Sequence, residues 1–190
     1  HYSAVQTGVA WLASSLTAVA LAGLSQLLVT RVGPKVVMAA GMTLIGTGVI
    51  WAAQAPVHAE FAANLLGPFL VTGAGAAFAF IPISIAALTG VEEHRAGLAS
   101  GLLDSSLQLG GALGIAIATS VAASHTQAIL HAGRTVPAAL TGGFQHAFGV
   151  LGAIALLAIP AIFALVRRSE LTDAVTKTAI REQTALATAD

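Results

Sequence analysis

Asp104 is the only ionisable residue between 96 and 124, within AGLASGLLDSSLQLGGALGIAIATSVAAS, and no Lys or Arg lies between 96 and 133 to pair with it. A carboxyl group in apolar surroundings is costly to place without a reason, so exchanging a proton or holding a cationic group is the chemistry open to it. At helical spacing its neighbours are small or polar: Gly97, Ser100, Gly101, Gln108, Gly111 and, further along, Thr119. They make one stripe, with Leu102, Leu109, Leu113 and Ile117 largely elsewhere on the helix. A structural reading stands beside the chemical one, in which Asp104 snorkels or accepts hydrogen bonds from Ser100 or Ser105. Gln108 shares the stripe and reads first as a packing and hydrogen-bonding residue.

Asn64 and Thr72 are further polar candidates for a pathway lining, with Ser84 beside them, in a second apolar run. Lone hydroxyls in such helices usually bond back to their own backbone. Of the histidines, His58, His94, His125 and His131 are expected in connections and His146 at the end of a span. No ligand spacing or carboxylate supports a metal site, and no cofactor is expected. The chain has no nucleophile–base pair and no phosphate-cradling glycine loop, so an enzyme is not expected. It also has no cysteine, which excludes disulfides and thiolate metal centres.

The elements that position these residues follow from composition. Of 190 residues, 56% are hydrophobic and 8% charged, whereas a soluble domain needs about 25% charged residues to hydrate its surface. No charged residue occurs in 1–30, 36–59, 61–91, 105–133 or 135–166. Each run exceeds the roughly 20 apolar residues that cross a bilayer as a helix. The expected fold is therefore all-α: a polytopic membrane bundle with spans at about 5–29, 36–53, 61–88, 96–123 and 144–166. Short connections join them, apart from a longer one over 125–140. Formal net charge is zero, so nothing points to nucleic acid, and the partners expected are the lipid bilayer and a small-molecule substrate.

If the spans alternate, Arg31, Lys35, Arg95, Arg167, Arg168, Lys177 and Arg181 fall on one side and Arg134 on the other. Basic residues are retained in the cytoplasm, which predicts a cytoplasmic C-terminus in the cell membrane. Residues 1–168 read as a transmembrane unit and 169–190 as a cytoplasmic tail. An outer N-terminus opening directly into a span, on His1 and without a basic leader, suggests a piece of a longer chain. Glycine is abundant, and in lipid small residues let helix backbones approach. Gly97, Gly101, Gly110, Gly111 and Gly114 in the fourth span are expected to serve that purpose, and Gly67, Gly73 and Gly75 together with Pro68 and Pro82 suggest a bent third span.

On these residues the sequence resembles the C-terminal part of a major facilitator superfamily transporter, of the EmrB/QacA-like fourteen-helix drug:proton antiporter branch. The stretch 96–124 is similar to the penultimate helix of that group, with its glycine-rich start and L-G-G-A-x-G core. SAVQTGVAWL (3–12) resembles the entrance to the second helix of the C-terminal bundle, and AFGVLGAIALLAIPAIFALVRR (147–168) the last helix. RVGPK (31–35) resembles the cytoplasmic R-x-G-R-K turn through Arg31, Gly33 and Lys35, with Thr30 where an acid is usual and Pro34 where a basic residue is usual. The resemblance implies five helices of a six-helix bundle, whose first helix and N-terminal partner bundle lie elsewhere in the polypeptide. The first, third and fourth spans would line the pathway. It further implies proton-coupled export of small lipophilic or cationic compounds by alternating access, powered by the proton gradient. A transporter of one specific metabolite, or a non-transporting scaffold or remnant, remains open as an alternative.

Overall fold

The computed structural model describes residues 4–57, 64–88 and 90–165. Five long helices make up nearly all of it: α1 (Ala4–Val32), α2 (Pro34–Ala52), α3 (Leu66–Leu88), α4 (Ala96–His131) and α5 (Val136–Leu165), with one short turn at Glu93–Arg95 before α4. All five contain segments long and apolar enough to cross a membrane. The expected tail over 169–190, together with Val166, lies outside the described residues, as does His58.

Glycine and proline set the helix ends. Gly33 at φ 88° breaks α1 from α2, and Pro34, locked at a helical φ with no N–H to satisfy, opens α2. The departure from the usual turn at Pro34 is thus a helix start. Gly133, at φ 79°, closes α4. Its N–H reaches Leu130 O at 2.9 Å and the Arg134 N–H reaches Ile129 O at 3.3 Å. These are the paired bonds of a Schellman ending. This stop falls later than expected: most of 125–140 is helical, and the hairpin between α4 and α5 is only 132–135. The stretch TQAIL favours helix and has no breaker before Gly133.

α3 is the hub. It packs along both α1 and α2, α2 packs also on α5, and α5 carries α4 at the periphery. Close approach between α2 and α3 depends on absent side chains. A Cβ on Gly75 would meet Ile45 N at 2.7 Å and Gly41 O at 2.8 Å, and one on Gly41 would run into the backbone of Phe78 and Ala79. Gly152 of α5 similarly lies against Gly46 O, where a Cβ would sit at 2.9 Å. Between α1 and α3, the fully buried Ser25 donates its hydroxyl to Ala77 O at 3.0 Å. Trp11 and Phe69 meet edge to face at 5.9 Å on the same seam.

Gly97, Gly101, Gly110, Gly111 and Gly114 do not take part in this packing. A Cβ on any of them would meet nothing within 4 Å. No residue of α4 is buried, and Leu98 is 77% exposed. The helix leans on α5 alone over most of its length, so these glycines have no neighbouring backbone among the described residues.

Candidate functional site

The stripe on α4 continues directly into the seam with α5. Asp104, Gln108, Gly111, Ile115, Ala118, Ala122, His125 and Ile129 recur at steps of three and four, which puts them on one helix face. The C-terminal part of this face is covered. A Cβ on Gly143 of α5 would meet Ala122 O at 2.6 Å and collide with Thr126, and one on Gly142 would meet Ile129 at 2.5 Å. The imidazoles of His125 and His146 stack there, with centroids 4.3 Å apart and planes 8° from parallel. Further down, α5 turns to α2 through Gly152 and leaves the face open at Asp104, Gln108 and Gly111.

Neither Asp104 nor Gln108 has a side-chain hydrogen bond or ion pair among the described residues. Ser105, considered above as a donor to Asp104, gives its hydroxyl to Gly101 O at 2.8 Å, and Ser106 bonds Leu102 O at 2.8 Å. The carboxyl is about 12 Å along the helix from Ala96, at 1.5 Å per residue. At membrane depth an aspartate facing lipid costs about 2.5–3.5 kcal/mol. A groove of about 460 Å³ lies where α5 meets this stripe, lined by Ala118, Thr119 and Thr126 of α4 and by Leu140, Phe144 and Phe148 of α5. Asp104 and Ala118 are 14 residues apart, about 21 Å along the helix.

The other candidates are elsewhere. Thr72 bonds back to Pro68 O at 2.8 Å and faces α2, where a Cβ on Gly48 would meet its hydroxyl at 2.6 Å. Asn64 is half-buried at the entry to α3. Thus Asp104 and Gln108 share an open face, and Thr72 belongs to a helix seam. At the turn between α1 and α2, Lys35 ties the start of α2 to the last described residues of α5. Its Nζ donates to Phe163 O at 2.6 Å and lies 5.2 Å above the Phe163 ring. Arg31 is exposed. His125 and His131 lie in α4 and His146 well inside α5, not in a connection or at a span end. The stack and the phenylalanine-lined groove were hidden because both depend on α4 running past residue 124. A period of three to four continuing through His125 to Ile129 was the available signal. No cluster of three or more metal-ligating side chains occurs among the described residues.

Five apolar helices, each long enough to cross a membrane and tied by glycine seams, define a multi-pass helical membrane protein. The model of the Major Facilitator Superfamily matches residues 1–189, and the chain belongs to that superfamily. It is 30% identical over 187 residues to the puromycin resistance protein pur8 of Streptomyces alboniger, covering 93% of this chain and 36% of that protein. It is 30% identical over 127 residues to the cephamycin export protein CmcT of Amycolatopsis lactamdurans, covering 66% and 26%. It is 35% identical over 112 residues to the multidrug resistance protein Stp of Mycobacterium tuberculosis, covering 58% and 20%. The chain therefore spans about a third or less of the length of these relatives.

Proposed function

We propose that this chain is the pathway-forming part of a proton-coupled exporter of small lipophilic or cationic compounds, of the antibiotic and multidrug efflux kind. The names of the three relatives support efflux as the activity. The observation that supports coupling is the unpartnered Asp104 on the open face of α4, beside Gln108. In this reading that face meets a second helical bundle of the same polypeptide across a wet cavity, where water or a cationic substrate offsets the cost of the carboxylate. Protonation and substrate compete for the same group. Each binds one of the inward- and outward-facing states better, so the gradient drives export without covalent chemistry and without a cofactor.

The basic residues orient the protein with Arg31, Lys35, Arg95 and the C-terminus in the cytoplasm and Arg134 outside. Residues 1–168 form the membrane unit and 169–190 a cytoplasmic tail. The test is export of a fluorescent lipophilic cation by the full-length polypeptide in inverted membrane vesicles. Dye should accumulate when a proton gradient is imposed and leak out when an ionophore collapses it. Accumulation indifferent to the gradient would contradict proton coupling, and no accumulation of any lipophilic dye would contradict efflux.

A further inference from the structure

At the Arg134 end, α4 and α5 outrun the bilayer. Their 36 and 30 residues correspond to about 54 and 45 Å of helix, against a hydrocarbon core of about 30 Å. Arg95 and the pair Arg167–Arg168 bound the other end in sequence, so the tip of this hairpin rises through the headgroup layer. A hollow of about 450 Å³ opens there between the two helices and the connection after α2. Val57, Ile129 and Ala132 are among its apolar lining, and Arg134, Thr141 and Gln145 supply the polar part.

The walls are held by specific bonds. Gln145 Nε2 donates to Ala55 O at 2.8 Å, fastening α5 to the segment that carries Val57. The backbone of Arg134 is fixed by its bond to Ile129 O, so the guanidinium starts from a helix cap and not from a free loop. That guanidinium makes no ion pair among the described residues. Neither helix can supply one nearby, since no Asp or Glu occurs between 105 and 169. Glu60, further along the connection after α2, lies outside the described residues.

We propose that this hollow binds a phospholipid of the leaflet at that end, with its phosphate on Arg134 and the first part of an acyl chain against Val57, Ile129 and Ala132. In the orientation proposed above this is the outer leaflet. A guanidinium offers the planar fork that matches two phosphate oxygens, and its long stem lets it reach down to headgroup level. Thr141 adds a hydroxyl donor beside it. The apolar wall next to the single cation fits a molecule that is charged at one end and greasy at the other. A free inorganic anion would use only the first of these.

The test is a titration of the purified full-length protein with dioleoylphosphatidylglycerol in mild detergent, with bound lipid counted by native mass spectrometry. Wild type should retain one lipid above the nonspecific background, and Arg134→Gln should weaken that lipid about tenfold through loss of the charged fork. Arg134→Lys should keep part of the affinity as a point charge. Ala132→Trp, which fills the hollow and leaves Arg134 intact, should lose the lipid too. Arg134 is exposed, so unchanged thermal melting of the Gln variant separates lost binding from lost folding. Lipid retention equal to wild type in Arg134→Gln or Ala132→Trp would overturn the proposal. So would equal displacement of the lipid by inorganic phosphate, which would make the hollow a small-anion site.

Discussion

Lys35 and Phe163 join the first turn of α2 to the last described turn of α5 across 128 positions of sequence, through a 2.6 Å bond from the ammonium to the carbonyl oxygen. The contact holds the basic end of the bundle as Gln145 and Ala55 hold the opposite end.

Lys35→Met keeps most of the stem and removes the charge. Because this bond is exposed, its loss should cost only about 1 kcal/mol. Thermal unfolding in detergent should show a small drop for Lys35→Met and a smaller one for Lys35→Arg, which can still donate.

The glycine seams predict an asymmetric response to added side chains. Gly75→Val places atoms on Ile45 N and Gly41 O, backbone groups that cannot swing away, and should destabilise by at least about 2 kcal/mol. Gly110→Ala faces open space and should be neutral or slightly stabilising, by a few tenths of a kcal/mol. Melting temperatures of the two variants check this directly, and the reverse order would refute the placement of α4 at the periphery.

The stacked imidazoles of His125 and His146 make a third test. An aromatic pair of this kind contributes about 0.5–1.5 kcal/mol beyond the area it buries. A double-mutant cycle with His125→Ala and His146→Ala should return a coupling of that size. Additive effects would mean that the rings do not support each other across the seam.

Much of this fold was legible in the sequence because lipid imposes a simple rule: long charge-free runs must be helices. The starts of α2 and α4 lie within two residues of expectation, since Gly33–Pro34 and Arg95 are strong local punctuation. The end of α4 and the start of α5 were not legible from charge, because 105–133 carries no charged residue to mark where the membrane stops. The glycines of α4 read as packing residues from their abundance and their four-residue spacing, and a Cβ on any of them meets nothing within 4 Å among the described residues. Abundance and spacing show that backbones can approach, but which helices do so is a matter of tertiary arrangement. Gly41, Gly75 and Gly152 fill that role on the more central helices. For the site, the stripe through Asp104 and Gln108 was readable as a period. That α5 covers its C-terminal end and leaves Asp104 open was not, since it depends on where two helices diverge.

The most direct test of the account is gradient-driven dye export by Asp104→Asn against wild type, in inverted vesicles at matched expression. The amide keeps the size and hydrogen-bonding of the side chain and removes the exchangeable proton. The account predicts that export falls at least about tenfold, some 1.4 kcal/mol or more in the driving step, while dye binding without a gradient persists. Export by the Asn variant at the wild-type rate, under the same gradient, would contradict it and leave Asp104 a polar group with no part in coupling.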